Sequence, residues 1–373
     1  MKSVTVNALQ FKKNSSGIGV MIRELFSRYT LITSRHCRVI LPKDGPDFPA
    51  SPDTEIVRIP WTYGQGIRRI LFQTLTMGRR YGKDAILLTT DSKAPLLVDR
   101  SCTLVPLVTD LAVFRMPQVY KASRALWWKL QYRYLCRRAD FFLAISEFTK
   151  SEMTQLLGIP PERIRVVPCA GPDSLAPVED PEQLRRLREK YGLPEKYLLF
   201  VGNANPRKNL ARMIRAFDSA ADRLAADCRL VIAGEQGWKF SEEDALREIR
   251  HRERIHFIGF VEDGDMPALY SAAELFLFPT LYEGFGIPVI EAQMCGTPVL
   301  TSNCSSLPEV AGDAAVYVDP YSEESITDGL LRALGDPRLA ADLRRKGLEN
   351  ARRFSWQKSA ELLEKIISEE VKQ

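Results

Sequence analysis

Four stretches of this chain combine residue types that could do chemistry. In VGNANPRKNL, Val201–Leu210, an apolar run ends at Val201, Gly202 opens a turn and a helical pattern begins near Asn209. That spacing sets Arg207 and Lys208 at the C-terminal end of a strand beside a helix N-terminus, where backbone N–H groups and the helix dipole favour an anion. Arginine can grip a phosphate through two hydrogen bonds, and lysine adds a point charge. The alternative is an exposed pair of cations in a loop. In PTLYEGFGIPVIEAQMCGTPVL, Pro279–Leu300, a strand runs into the turn Glu283-Gly284-Phe285-Gly286, then into a helix that starts at Ile287-Pro288 and carries Glu291. Glu291 points back along that helix toward the rim of a ligand crevice. Both glutamates could accept hydrogen bonds from a polyhydroxylated ligand. A capping Glu283 and a solvated Glu291 are the alternative, but the two glycines permit close backbone approach.

The other two stretches are weaker. NSSGIGVMIREL, Asn14–Leu25, places Gly17 and Gly19 between a strand and a helix, as a phosphate-type loop does. It is not a G-x-G-x-x-G, and no acidic residue follows at the right distance, so a dinucleotide site is disfavoured. In PLVTDLAVF, Pro106–Phe114, Thr109 and Asp110 follow a buried-looking strand on the side where open α/β sheets bind ligands, or Asp110 caps the next helix. Asp263 and Asp265 form an Asp-x-Asp that reads better as an N-cap of the following helix than as a metal ligand. The three histidines, at 36, 251 and 256, are scattered, and the seven cysteines include no Cys-x-x-Cys. No metal is therefore expected, and a disulfide framework is excluded.

The elements that must position these residues alternate between strand and helix. Thirteen short apolar runs recur, from Val4–Leu9 to Ala315–Val318, with amphipathic stretches between them. Unbroken runs such as YLLFV and RLVIAG suit a parallel sheet covered on both faces, and the alternation predicts doubly wound α/β domains. At 373 residues, two domains are the default. Cys169–Pro181, CAGPDSLAPVEDP, reads as the boundary, giving domains 1–175 and 176–373, with the last helical stretch from Ser355 free to pack back on the first. No apolar run approaches the roughly 18 residues of a membrane span. The N-terminus is too polar for a signal peptide, so a cytoplasmic protein is expected.

Charge divides the chain: residues 1–175 hold 26 Lys+Arg against 14 Asp+Glu, and the remainder 26 against 33. The basic half is expected to meet something anionic, or its charge is solvated surface. KASRALWWKLQYRYLCRR, Lys121–Arg138, interleaves Arg124, Lys129, Arg133 and Arg137 with aromatic residues. With Arg68, Arg69, Arg79, Arg80 and Lys83 it could form an interfacial surface on anionic lipid, or be a domain helix with buried aromatics. No recognition motif supports nucleic acid as the partner.

The segment EGFGIPVIEAQMCGTPVLTSNCSSLPEVAGDAA resembles the signature of glycosyltransferase family 4, retaining enzymes of the GT-B fold. NPRKNL resembles that family's Arg-Lys segment and NSSGIG its N-terminal glycine loop. The resemblance implies two facing Rossmann-like domains with the active site in the cleft between them. The second would hold a nucleoside diphosphate sugar and the first a glycan or lipid-linked glycan acceptor. It implies that Arg207 and Lys208 bind the donor diphosphate and Glu291 the ribose. Glu283, with the backbone of Phe285, Gly286 and Ile287, would hold the sugar and distal phosphate, while Gly259, Phe260 and Val261 border the base. Where members often carry His-Asp, this chain has Thr109-Asp110. Threonine can hydrogen-bond but cannot take a proton near neutral pH, so Asp110 is read as sharing that role. The resulting expectation is metal-independent, retaining hexosyl transfer, best guessed as mannose from GDP-mannose, in surface-polysaccharide synthesis on the cytoplasmic side of a membrane. A nucleotide-sugar 2-epimerase and a non-catalytic nucleotide-sugar-binding protein are the alternatives.

Overall fold

Each of the thirteen apolar runs forms a strand, and together they build two sheets. The computed structural model describes residues 1–371 apart from 13–16, 63, 65, 91–94, 236, 238 and 239. The first sheet contains β1 (Ser3–Asn7), β2 (Cys37–Leu41), β3 (Glu55–Arg58), β4 (Ala85–Thr90), β5 (Thr103–Val108), β6 (Phe142–Ala144) and β7 (Ile164–Val166), in the order β3-β2-β1-β4-β5-β6-β7. The second contains β8 (Tyr197–Val201), β9 (Arg229–Ala233), β10 (Ile255–Gly259), β11 (Leu275–Phe278), β12 (Val299–Ser302) and β13 (Val316–Val318), in the order β10-β9-β8-β11-β12-β13. All pairings are parallel. Strands β4, β5 and β11 are buried along their whole length, because helices cover both faces and leave no solvent side. The edge strand β3, EIVR, is mostly exposed and accordingly mixed in polarity.

The strand order reverses between β1 and β4 in the first sheet and between β8 and β11 in the second. Crossovers leave in opposite directions at such a switch point, and the carboxyl ends of the two strands open a crevice. Of the residues singled out in the sequence, Gly17 follows β1, Arg207 and Lys208 follow β8 and Glu283 follows β11, all switch-point strands, whereas Asp110 follows the neighbouring β5.

Two units divide the chain: Met1–Cys169 with Ser355–Gln373, and Ala170–Phe354. Residues 170–175 and 355–373 are thus placed differently than a single cut at 175 would have them. The reason is the helix Trp356–Glu370. Its apolar face buries Trp356, Leu363, Ile366 and Ile367, and it packs on the first unit's helix Ile18–Ile32. Ser359 Oγ donates to Pro168 O at 2.7 Å, and Arg165 pairs with Glu370.

Within the first unit, the connection from β3 to β4 is helical at Gly66–Leu71, forms a π-helical turn at Phe72–Thr76 and is helical again at Met77–Tyr81. Its Phe72 and Met77 share one core cluster with Tyr132 and Leu135 of the helix Ala122–Arg138 and with Leu87, Leu104 and Phe142 of the sheet. Both helical stretches therefore cover the same face of the sheet.

Candidate functional site

In the second unit the switch point brings together the two pieces with the strongest sequence signal. After β8 the chain makes a 3-10 turn, Pro206–Lys208, and then the helix Leu210–Ala221. Asn205 Oδ1 accepts from Arg207 N at 3.1 Å and closes the turn. Asn209, with φ +61°, donates through Nδ2 to Pro279 O (2.9 Å) and Pro320 O (2.7 Å). Arg207 O in turn accepts from Leu281 N at 2.8 Å. This lattice ties the Arg-Lys turn to the segment after β11. The outcome is an ion pair: Lys208 Nζ lies 2.9 Å from Glu283 Oε1, with side chains only 13% and 11% exposed. The ammonium also sits 4.5 Å from the centroid of Phe278, so ring and carboxylate share its charge.

Serines hold the turn after β11. Glu283 N donates to Ser305 Oγ at 3.2 Å, and the Ser306 hydroxyl is shared between Glu283 O (3.0 Å) and Phe285 O (2.8 Å). Gly286 has φ +102°, and a Cβ on it would stand 2.7 Å from Leu307 Cδ2. The turn thus needs a glycine for both its dihedral and its space. The helix Ile287–Met294 starts directly after it, with Pro288 in its first turn as the sequence implies. Its first N–H groups lack intrahelical partners, as at any helix start, four residues after Glu283 in the chain.

Glu291 lies half-buried on that helix and accepts from Tyr270 Oη at 2.7 Å. Burial pushes its carboxyl above the ordinary range, against the lowering effect of the tyrosine bond. The Tyr270 hydroxyl itself is held far above its usual value by burial and by the neighbouring carboxylate. At the carboxyl end of β10, Gly259 and Phe260 are exposed and Val261 is buried. An aromatic face and backbone groups there could meet a base.

In the first unit, Gly17 is the N-cap of the helix Ile18–Ile32, with φ +54°, and Gly19 is buried in the first turn. Asn14, Ser15 and Ser16 lie outside the described residues. Thr109 is buried directly after β5, and Asp110 Oδ1 accepts from Ala112 N at 2.9 Å in a local turn just ahead of the helix Ala112–Arg115, whose N-cap is Leu111 and not Asp110. Arg115, one helical turn further, makes a two-pronged pair with the buried Glu152. The capping assignment for Asp263 and Asp265 does not hold in its details. The helix Met266–Ser271 has no side-chain cap, and Asp265 Oδ2 instead accepts from Lys190 Nζ and Tyr191 Oη, both at 2.7 Å. Among the described residues no three His, Cys, Asp or Glu side chains form a group that could hold a metal.

Tyr270, Asn209, Ser305 and Ser306 were not singled out as site residues in the sequence. The serines and Asn209 lie inside stretches already marked. Tyr270 carries no signal, because its partner is 21 residues away on another element.

Comparison with known proteins bears on family and fold. Residues 184–354 match the family model Glycosyl transferases group 1, and residues 104–170 match Glycosyltransferase Family 4. O-antigen chain mannosyltransferase B of Escherichia coli is 32% identical over 253 residues, 66% of this chain and 65% of that protein. The serotype-specific mannosyltransferase WbdA of Escherichia coli is 32% identical over 233 residues, 60% of this chain but 28% of that protein. The chain thus spans just under two thirds of the first relative and little more than a quarter of the second. Sucrose-phosphate synthase of Thermosynechococcus elongatus superposes with a TM-score of 0.77 over 99% of both chains at 20% identity, which bears on the fold alone.

Proposed function

We propose that this chain, a glycosyltransferase by its two matched family models and GT-B in fold, transfers a hexosyl unit from a nucleoside diphosphate sugar to an acceptor hydroxyl. The best-supported sugar is mannose from GDP-mannose, and the acceptor a growing lipid-linked surface polysaccharide. The two Escherichia coli mannosyltransferases support the sugar and one of them, by its name, the O-antigen. The single observation that carries the reading is the Lys208–Glu283 pair, 2.9 Å apart at the switch point.

Breaking the donor C1–O bond leaves a diphosphate whose charge grows in the transition state. Fixed positive groups there lower the barrier without reorganising. Lys208 and Arg207 supply charge, and the N-terminus of Ile287–Met294 supplies N–H donors. Glu283 keeps the ammonium in place and is the group for the sugar hydroxyls. Glu291, oriented by Tyr270, is the group for the ribose. The acceptor hydroxyl attacks from the face the diphosphate leaves, and a departing phosphate oxygen takes its proton, so configuration is retained. No metal is required in this scheme. In the first unit, Thr109 and Asp110 are the candidates for contact near the reacting end. No helix among the described residues is long and apolar enough to cross a membrane. The reading places the enzyme at an anionic cytoplasmic membrane surface, through its basic first unit.

The experiment is a thermal-shift series over nucleotides and nucleotide sugars, followed by transfer assays with the sugar that raises the midpoint. A ligand at about 100 times its Kd adds about 2.7 kcal/mol. GDP-mannose is expected to stabilise, and GDP to be released only with acceptor present. Release without acceptor, with an epimerised sugar, would replace transfer by 2-epimerisation. Absence of stabilisation by any nucleotide sugar would remove the reading.

A further inference from the structure

Two stretches of the first unit lack acidic residues altogether. Residues 56–83 contain six Lys+Arg and no Asp or Glu, and residues 111–139 contain seven and none. The two are neighbours in space as well. Their buried faces share one core cluster, and the segment at Leu96 joins them: Tyr134 Oη donates to Leu96 O, and Leu96 N to Thr74 O, both at 2.8 Å.

The side chains they turn outward are the reverse of an ordinary surface helix. From the first stretch Ile67 (78% exposed), Ile70, Leu71 and Leu75 face solvent, with Ile67, Leu71 and Leu75 at four-residue spacing on one stripe. The second turns out Leu126 (60% exposed), Trp127 and Leu130. Trp128, by contrast, is tucked against Tyr120 at 5.3 Å, under the Arg124 guanidinium. The same two stretches carry Arg68, Arg79, Arg80, Arg124, Arg133 and Arg137, all exposed and none in an ion pair with another described residue. A soluble helix puts its apolar stripe inward. An outward apolar patch rimmed by charge marks an interaction surface, and single-sign charge without acids selects an anionic partner.

We infer that this two-helix face inserts into an anionic lipid leaflet, with Leu126, Trp127, Leu130, Ile67, Leu71 and Leu75 below the phosphates and the arginines among them. The inference rests on the membrane-surface reading above and deepens it from charge contact to insertion. A flat anionic sheet with an apolar layer beneath offers both chemistries at once, and tryptophan favours that boundary. Charge attraction is screened within about 8 Å at physiological salt, whereas apolar burial is not. The two contributions can therefore be separated.

The test uses the full chain and vesicles of equal parts phosphatidylglycerol and phosphatidylcholine, against phosphatidylcholine alone. Co-sedimentation at low salt is expected for the anionic vesicles, and part of it should survive about 0.5 M salt, where the Debye length is only a few ångströms. Leu126→Ser, Trp127→Ser and Leu130→Ser combined should lose the salt-resistant part and weaken low-salt binding by about tenfold or more. The melting midpoint and transfer to a soluble acceptor should not change. Brominated lipid should quench wild-type tryptophan emission, and Trp127→Phe should lose that quenching. If the wild type ignores anionic vesicles at low salt, the membrane-surface reading fails and insertion with it. If it binds but salt removes everything, the triple variant binds like wild type and no quenching occurs, association stands and insertion is overturned. If the triple variant turns a dimer into a monomer without altering vesicle binding, a second copy covers this face and the inference is likewise overturned.

Discussion

Lys208 pairs with Glu283 and lies over the Phe278 ring. On the proposed donor site, removing its ammonium deletes a charge-assisted bond worth roughly 1.5–3 kcal/mol, so Lys208→Ala should lower kcat/KM for the nucleotide sugar about 10- to 150-fold. It also leaves the Glu283 carboxylate nearly buried without its cation, so unfolding by denaturant should show a loss of stability. Lys208→Met with Glu283→Gln should recover most of that stability and none of the donor use; recovery of both would show that the pair is only structural. Glu291 gives the opposite sign. Its carboxyl is raised in the folded chain by burial. The folded state therefore holds the proton more tightly than the unfolded, and stability falls as pH rises from the ordinary carboxylate range through the raised value. Glu291→Gln keeps an acceptor for Tyr270 but no charge. The variant should melt higher than wild type at neutral pH, the gap closing below about pH 4, while donor affinity drops. A gap independent of pH would contradict this. Arg207, Lys208 and Glu283 were legible in the sequence because strand ends beside turns and helix N-termini are where open α/β sheets gather ligand-binding charge. Tyr270 was not, since its bond to Glu291 exists only once two helices have packed.

At the scale of elements, the turn at Gly286 sets both a dihedral and a helix start. Gly286→Ala would place a Cβ against the fully buried Leu307 and force a left-handed conformation. The left-handed backbone alone costs about 1–2 kcal/mol, and the displaced helix N-terminus should raise the donor KM. Gly264→Ala, which meets nothing within 4 Å and has no positive φ, is the control and should change neither. If the two variants melt alike, the turn does not need its glycine. The strands themselves were readable because a parallel sheet buried on both faces demands unbroken apolar runs, and β4, β5 and β11 show them. The π-helical turn at Phe72–Thr76 was not readable. One inserted residue shifts the helical period without leaving a characteristic residue type.

For the whole molecule, activity is expected to survive EDTA. Loss on chelation with recovery on adding manganese or magnesium would reverse the metal-free scheme. The division into units gives a second expectation. A fragment of residues 170–354 should fold cooperatively alone, whereas residues 1–169 should not until residues 355–371 are supplied in trans or fused back. The helix Trp356–Glu370 buries four large apolar side chains in that unit, each contributing about 1.5–3 kcal/mol. Circular dichroism melts of the three preparations decide this, and a cooperative 1–169 would refute it. The two-domain architecture was legible from the βα alternation. The last helix packing back on the first unit was raised from the sequence only as an open possibility, because an amphipathic period shows that a face must be buried but not against which partner.

The same helix fixes an order of events during synthesis. A ribosome adding about 5–20 residues per second needs roughly 10–40 s to traverse residues 170–354. By the end of that interval the first unit's strands have all emerged, yet the helix Ile18–Ile32 still lacks its packing partner. The second unit's last residues leave the ribosome just ahead of the helix Trp356–Glu370. The nascent first unit meanwhile carries an unsealed apolar stripe until residues 356–370 clear the exit tunnel.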